Sequence, residues 1–263
     1  MSPIGPIRPI LKPCDRRCRI LLVTMMKLIC ILIALCLAAS VSASAADLRS
    51  RIRQETGDFK DISLTCKVLQ ADHDALRKIG KDFPKSYEFK STLVRFKAPD
   101  KMKMEGKLGM VKIEIIINGN RKITIIPPIH YRKREDISDK PHKRQTDLDV
   151  GMITDSLWRG YIVTSIDDDG PADRITFCRE NSKDKKLVAW VDDKSLKLLK
   201  VEKYESDGRL ISRYIYSGHS LINGVAWVPS KIQVYNCDGK LAGTTSYENI
   251  KINTGIPDSV FDF

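Results

Sequence analysis

The amino-acid sequence predicts a mainly β protein built on an antiparallel sheet, and two patterns support this fold class. Many short stretches alternate apolar and polar residues, which is typical of strands that bury one face. Several of these stretches are separated by Asn-Gly or Asp-Gly, which favour hairpin turns because both residues tolerate a positive φ. About ten or eleven strands with few helices must either curl into a barrel or stack as a sandwich.

The first part of the predicted domain combines one helix with a series of strands. Leu48 and Ile52 fall at helical spacing, which predicts a helix near 47–58. The strands that follow are Ile62–Gln70, Tyr87–Lys97, Lys101–Glu105, Val111–Ile117 and Ile123–Ile125. Asn118–Asn120 forms the turn between the last two strands, and Pro127-Pro128 ends that hairpin.

The middle of the chain predicts a loop, a short helix and a hairpin. Residues 129–143 are polar and loop-like. Thr146 is a suitable cap for a helix from Asp147 to about Leu157, although Gly151 weakens that helix. The hairpin strands that follow are Tyr161–Ile166 and Ile175–Phe177.

The last third of the chain, residues 186–263, predicts an antiparallel meander. Its strands are Leu187–Val191, Leu196–Tyr204, Leu210–Tyr216, Ala226–Tyr235 and Leu241–Ile250. The turns between them include Asp207-Gly208, Asn223-Gly224 and Asp238-Gly239. Because tight turns join consecutive strands, we expect these strands to pair in hairpin order.

Residues 1–46 form an N-terminal extension and signal peptide that does not belong to the folded domain. The apolar run Leu28–Leu37 follows a basic start and precedes a series of small residues, which is typical of a cleavable secretory signal. The run is too short for a comfortable membrane-spanning helix, which needs about 20 residues. We therefore expect cleavage after Ala45 or Ala46 and an exported, soluble domain over 47–263.

Two details of the N-terminal extension bear on this prediction. Leu35 precedes Cys36, and a lipoprotein cleavage site needs a small residue there, so we expect no lipid anchor. The proline-rich, basic stretch at the start cannot form a helix. It leaves Met1, Met25 and Met26 open as the first residue.

The charge distribution argues against a nucleic-acid-binding protein. The formal charge is +12, and without residues 1–46 the chain keeps 39 basic and 32 acidic residues, a net charge of +7. The densest basic cluster is Arg132–Arg134, and it is interrupted by Glu135 and Asp136. Nucleic-acid binding would need a clustered basic face with aromatic platforms or a recognition helix. No nucleic-acid partner is expected.

No pattern of catalytic or metal-binding residues occurs in the sequence, and we expect neither an enzyme nor a cofactor. The four histidines show no zinc spacing. The turn Asp167–Gly170 has consecutive aspartates in place of the alternating ligands of a calcium loop. Cys66, Cys178 and Cys237 lie in strand-like stretches, where a cysteine is usually a small buried hydrophobe, although two of them could pair in an oxidising compartment.

The one-sided apolar strands predict either an ordinary filled core or a cavity for an apolar ligand. The residues proposed to point inward are Phe89, Leu93, Val111, Ile113, Ile115, Ile123, Ile125 and Phe177, together with Trp190 and Tyr214. Alternation along the strand places Lys112 and Glu114 on the outward face.

The last third of the chain also carries a family resemblance. The residues concerned are Ala189-Trp190-Val191-Asp192, Lys200-Val201-Glu202, Asp207-Gly208, Trp227-Val228-Pro229, Pro257-Asp258, Phe261 and Phe263. In this order they resemble the LolA-like family of periplasmic lipoprotein carriers and outer-membrane lipoprotein-sorting proteins. The resemblance implies a half-open β-barrel, a single curved sheet covered by a few short helices around 47–58 and 147–157. It also implies an acyl-chain cavity.

The resemblance further implies a function and a set of partners. The implied function is a periplasmic carrier that takes an acylated lipoprotein or lipid from an inner-membrane transporter to an outer-membrane acceptor. The alternatives are a periplasmic sensor module of the same fold and, less favoured, a secreted enzyme. The family's Pro-x-x-aromatic-Arg pattern, whose arginine latches the covering helices, matches Pro99–Lys103. Lys103 is therefore a possible latch, but lysine lacks the planar fork of arginine.

Overall fold

A computed structural model describes residues 47–140, 144–179 and 182–263 of the protein. The predicted signal peptide, its cleavage after Ala45 or Ala46 and the position of the first residue concern 1–46, which lie outside the described residues. Within the segments described, no helix is both long and apolar enough to cross a bilayer.

The described residues form one antiparallel sheet of thirteen strands and a separate two-stranded hairpin. In chain order the strands are β1 Asp61–Ala71, β2 Ser91–Lys97, β3 Lys101–Leu108, β4 Val111–Asn118, β5 Arg121–Ile126, β6 Tyr131–Asp136, β7 Tyr161–Asp168, β8 Ala172–Arg179, β9 Ser182–Asp192, β10 Leu198–Tyr204, β11 Leu210–Ser217, β12 Ser220–Ile222, β13 Ala226–Val228, β14 Lys231–Asn236 and β15 Leu241–Ile252. The order across the large sheet is β6-β5-β4-β3-β2-β1-β15-β14-β11-β10-β9-β8-β7, while β12 pairs with β13. The predicted fold class, a single curved antiparallel sheet that stays half-open, is confirmed.

The junction of β1 with β15 divides the sheet into two wings. Strands β1 to β6 form a continuous meander that we call the N-terminal wing. Strands β7 to β11 with β14 and β15 form the C-terminal wing, and Ile62 of β1 pairs with Ile252 of β15 where the wings meet. The predicted hairpin order of the last strands is confirmed, with β12 and β13 inserted between β11 and β14.

Short helices accompany the sheet. In the described residues they are α1 over 47–56, α2 His73–Ile79, α3 Phe83–Ser86 and α4 Leu157–Gly160, with 3-10 turns at Pro127–Ile129, Asp147–Val150 and Asp258–Phe261. The helix predicted near 47–58 is confirmed by α1. It buries Leu48 and Ile52 against the apolar residues of the C-terminal wing.

The two faces of the sheet have different covers. The inner face packs against α1, the 147–153 segment and the β12–β13 hairpin. Phe177 and Val201 belong to this face in the C-terminal wing, and Phe96 belongs to it in the N-terminal wing. The outer face of the N-terminal wing instead packs Ile123 against Phe261 of the last 3-10 turn.

The helix predicted over 147–157 is wrong. The structure has a single 3-10 turn at Asp147–Val150 and a separate short helix α4. Gly151 ends the turn with a φ of 79°, and a Cβ at this position would lie 2.7 Å from the Pro229 side chain. Because this left-handed conformation favours glycine and cannot continue a helix, the chain breaks where the sequence has its weakest helix former.

Three other predicted boundaries need correction. Residues 131–136 form the edge strand β6 rather than a loop, because an edge strand can expose charged side chains on both faces. The predicted strand Tyr87–Lys97 begins only at Ser91, because Pro84 opens the helix α3 just before it. The predicted strand Ala226–Tyr235 is divided at Pro229, which has no N–H for a sheet ladder.

Candidate functional site

A cavity of about 280 Å³ lies between the inner face of the C-terminal wing and the segments that cover it. Small-molecule sites typically have volumes of about 300–1000 Å³, so this cavity has room for one slender ligand. The residues that line it are Tyr87, Leu148, Asp149, Tyr161, Arg179, Lys185, Lys186, Leu187, Val201, Lys203, Tyr204, Ile211, Tyr214, Tyr216, Ile232, Val234, Thr245 and Tyr247.

The register of the C-terminal wing places one row of side chains in the cavity wall. Val201 pairs with Tyr214, and Tyr214 pairs with Val234. The next row joins Tyr216 to Ile232. Directly opposed residues of an antiparallel pair project to the same side of the sheet. The mixed apolar and phenolic wall therefore follows from the pairing of β10, β11 and β14.

Tyr87 closes one side of the cavity and depends on a glycine opposite it. Its ring lies 6.0 Å from the ring of Phe83 in α3. A Cβ on Gly243 of β15 would lie 2.3 Å from the Tyr87 ring, so the ring can approach the strand only because this residue has no side chain. Burial raises the pKa of Tyr87, which keeps the phenol neutral against the apolar wall.

The Asp147–Val150 turn covers the cavity from the side opposite the sheet. Thr146 and Asp149 form a capping box, in which the Thr146 backbone N–H donates to Asp149 Oδ2 at 2.9 Å. This arrangement fixes the turn at its start. It brings Leu148 and Asp149 to the cavity.

Two arginines of α1 connect that helix to the covering segment. Arg49 Nε donates to Asp155 Oδ1 at 2.7 Å, and Arg53 Nη2 donates to Asp155 Oδ2 at 3.1 Å. Arg49 holds the pKa of Asp155 below its usual range. Such partly exposed ion pairs contribute little stability individually, so their main effect is to orient α1 over the core.

Asp147 is a buried acid beneath the covering turn. Its residue surface is 0% exposed, and Ser156 Oγ donates to its Oδ1 at 2.5 Å. Burial raises the pKa of Asp147 to about 6, because desolvation disfavours the charged carboxylate. Asp147 supports the cover and does not line the cavity.

Basic residues gather at one end of the cavity, and each lies near an aromatic ring. Lys203 Nζ lies 5.0 Å from the Tyr214 ring centroid, and Lys186 Nζ lies 5.3 Å from that of Tyr204. The Arg179 guanidinium lies 5.0 Å from the centroid of Tyr161. Interaction with Tyr214 raises the pKa of Lys203 despite its burial, so this ammonium is charged at neutral pH.

Among the ten predicted cavity residues, Tyr214 lines the cavity. Phe177 lies one layer behind it, fully buried, and packs edge-on against Tyr161 with ring centroids 5.1 Å apart. Trp190 points to the outer face: its indole Nε1 donates to Asp169 at 2.8 Å, and Lys200 Nζ lies 3.4 Å from its ring centroid.

The expected inward direction is also wrong for three residues of the N-terminal wing. Leu93 and Ile125 are in register with Glu105 and Glu114 on the outer face. Ile123 also lies on that face, where it is fully buried against the C-terminal turn. Both faces of β4 bury apolar side chains, Ile116 on the outer face and Ile117 on the inner face, so simple alternation could not tell the faces apart.

Four predicted residues lie on the inner side of the N-terminal wing, away from the cavity lining. Val111, Ile113 and Ile115 share the strand face of Met104, and Val111 is 39% exposed. Phe89 precedes β2 and approaches Gly106, where a Cβ would lie 2.8 Å from its ring. The predicted opposite orientation of Lys112 and Glu114 agrees with the register.

Lys103 lies in an ion-pair network on the outer face of the N-terminal wing. Its Nζ lies 3.2 Å from Glu114 and 4.0 Å from Glu105, and Lys112 reaches the same two carboxylates. All four residues belong to neighbouring strands. The position of the expected latch is therefore used to join β3 to β4, and the covering helix α1 is instead held by Asp155.

Sequence reasoning missed most of the cavity lining. The missed side chains that define its chemistry are Tyr87, Asp149, Tyr161, Arg179, Lys203, Tyr216 and Tyr247. A signal was present in β10 and β11: Val201 and Lys203 share a face, as do Tyr214 and Tyr216. Two tyrosines and a lysine on the buried face of neighbouring strands indicate a polar cavity within a core.

Comparison with known proteins identifies the fold. A domain from Vibrio parahaemolyticus named for outer membrane lipoprotein sorting matches with a TM-score of 0.54 and 13% identity, over 82% of this chain and 95% of that chain. A DUF1329 family protein from Desulfovibrio piger matches with a TM-score of 0.49 and 14% identity, over 84% and 97% of the two chains. A LolA superfamily protein from Nitrosomonas europaea has a TM-score of 0.48 and 13% identity, over 83% and 97%.

Sequence comparisons add less. A family model described as an uncharacterized protein matches residues 159–263, which is less than half of the chain. Comparison with curated proteins gave no match. The structural match to the lipoprotein-sorting domain shows that this chain has the fold of that domain, in agreement with the sequence resemblance.

Proposed function

We propose that this protein is a periplasmic carrier that binds an acyl chain of a lipoprotein or lipid in the inner cavity. The observation that carries this proposal is the cavity of about 280 Å³ on the inner face of the C-terminal wing. Its deeper wall is formed by Leu148, Val201, Ile232 and Val234, which suit a hydrocarbon chain. Binding in such a site needs no catalytic group.

The proposal includes the route of the protein and its partners. Residues 1–46 act as an extension with a cleavable signal peptide, and 47–263 act as the lipid-binding domain in the periplasm. The carrier receives its cargo from an inner-membrane transporter and delivers it to an outer-membrane acceptor. The LolA-like fold supports this role, because a solved domain with the same fold is named for outer membrane lipoprotein sorting.

A displacement titration tests whether the cavity binds acyl chains. The mature protein is mixed with the neutral dye N-phenyl-naphthylamine, whose fluorescence rises in apolar surroundings, and dodecanoate or dodecanol is then added. We expect saturable dye binding and competitive displacement by at least one of the two amphiphiles. A protein that binds the dye without saturation, with no displacement by either amphiphile, would have a filled core, and the carrier proposal would fail.

A further inference from the structure

The basic end of the cavity indicates what kind of head group the ligand has. Lys203 lies on the inner face of β10, directly across from Leu187 and Ser212. Within the described residues, no carboxylate lies within ion-pair distance of its ammonium, which instead makes a cation–π contact with the ring of Tyr214. Lys203 is half-buried, and Asp149 interacts with it electrostatically without forming an ion pair. An ammonium that has lost part of its hydration and has no ion pair is suited to a ligand that supplies the negative charge.

The other charges around the cavity favour an anion as well. Arg179 lies at the same end of the sheet as Lys203, whereas Lys186 is opposite Tyr204 and borders the cavity at its edge. Lys185 is paired with Glu205 at 3.3 Å. Asp149 is the acidic residue of the lining. Its Oδ2 already accepts from the backbone N–H and the hydroxyl of Thr146, at 2.9 and 3.2 Å. The capping box orients Asp149 but leaves its charge, which also acts on Lys203. The lining nevertheless contains four basic residues and this one acid.

The cavity is also polarised along its length. The basic residues come from the end of β8, the first half of β9 and the end of β10. Val201 and Ile232 lie further from this end of the sheet, in the register rows of Tyr214 and Tyr216. An amphiphile fits this arrangement with its chain against the apolar wall and its head group at the basic end. The phenol groups around the cavity supply further hydrogen-bond donors for the head group.

We infer that the cavity selects amphiphiles with a single acyl chain and an anionic head group, a carboxylate or a phosphate, which pairs with Lys203. This inference rests on the proposed carrier function and names its ligand class. The volume of about 280 Å³ is at the lower end for ligand sites, which favours one chain over several.

The test compares amphiphiles that share a chain and differ in the head group. Four amphiphiles are titrated separately against the mature protein with bound N-phenyl-naphthylamine, each below its micelle concentration, and displacement of the dye is measured. They are dodecanoate, dodecyl phosphate, dodecanol and dodecyltrimethylammonium. We expect the two anions to bind roughly ten- to hundredfold more tightly than dodecanol, because a charge-assisted hydrogen bond increases affinity by about this factor. The cation should bind most weakly. The stronger of the two anions shows whether a carboxylate or a phosphate is preferred.

Variants of β10 connect that preference to Lys203. Lys203→Gln should reduce the ratio of dodecanoate to dodecanol affinity at least tenfold, and Lys203→Arg should restore most of it. Lys200→Gln is the matched control: it removes the same charge from the same strand on the outer face, where Lys200 lies beside Glu202 and Trp190. It should leave the ratio unchanged.

The outcomes separate this inference from the function on which it rests. If no amphiphile displaces the dye, the carrier proposal itself fails. If dodecanol binds as tightly as dodecanoate to the unaltered protein, acyl binding stands and the anionic preference is refuted. The same conclusion follows if Lys203→Gln folds and keeps the full ratio. The comparison on the unaltered protein decides the matter even if Lys203→Gln does not fold.

Discussion

A pair of identical substitutions distinguishes the cavity from the filled part of the inner face. Val201 and Val228 are both buried, at 3% and 0% exposure, and both belong to apolar clusters of the inner face. Val201 borders the cavity, whereas Val228 packs in the cluster with Phe96 and Met152. Replacing each valine by phenylalanine therefore adds the same volume to two environments that differ in free space.

The structure sets the expected size of each effect. A benzene molecule fits a cavity of about 150 Å³, so the ring at position 201 takes about half of the 280 Å³ available. Val201→Phe should therefore cost less than about 1 kcal/mol of folding free energy, whereas Val228→Phe overpacks a filled core and should cost about 1–3 kcal/mol.

Urea unfolding and dye displacement measure the two effects on the same samples. We expect Val201→Phe to unfold near the midpoint of the unaltered protein and to lose dye and dodecanoate binding. Val228→Phe should unfold at a lower urea concentration and, while folded, should keep binding. Equal destabilisation by both substitutions, with binding unaffected by Val201→Phe, would refute the assignment of the cavity.

Three further predictions concern the outer face, the covering turn and export. Ile123→Ala should lower the free energy of unfolding in urea by about 2–5 kcal/mol, because Ile123 is fully buried against the C-terminal turn. Ile113→Ala, at a half-buried position, should lower it clearly less, and the reverse order would contradict the assignment of faces. Asp147 has a pKa of about 6 in the fold against 3.8 as the reference, so the folded state holds the extra proton between these values, and the protein loses stability as the pH rises through that interval. Asp147→Asn should remove this loss, so that its stability relative to the unaltered protein rises by about 3 kcal/mol from pH 3.5 to 7. Glu88→Gln, at an exposed position, serves as the control. If the stability difference between Asp147→Asn and the unaltered protein did not vary with pH, this result would count against the buried acid. N-terminal sequencing of protein from a periplasmic extract should begin at Ala46 or Asp47, and an intact signal segment would contradict the export prediction.

The turn chemistry explains why the C-terminal wing could be predicted in detail. Asp207-Gly208 and Asp238-Gly239 have local conformational requirements, and Gly208 and Gly239 adopt the positive φ that those turns need. Local signals of this kind are visible in a single sequence. These turns therefore determine which strands pair as hairpins in this wing.

The inner and outer faces of β4 and β5 could not be predicted, because the packing there is not local. Ile115, Ile116 and Ile117 form a continuous apolar run, and such a run indicates burial on both sides without saying what covers each side. The outer cover is the C-terminal turn with Phe261, which lies far away in the sequence.

The candidate site was missed for a related reason. Its chemistry depends on Tyr87 from a loop, Asp149 from a 3-10 turn and Lys203 from β10, and only the fold brings these together. Gly243 admits Tyr87 through a contact that the sequence does not reveal. The family resemblance correctly implied the fold, while the position of the cavity in the C-terminal wing required the structure.

Native mass spectrometry of the protein purified from a periplasmic extract tests the carrier proposal most directly. We expect a mature chain with one non-covalently bound acylated anion per protein, released on collisional activation and absent from Val201→Phe. A protein that carries no bound molecule, and takes up no dodecanoate when it is added, would contradict the account.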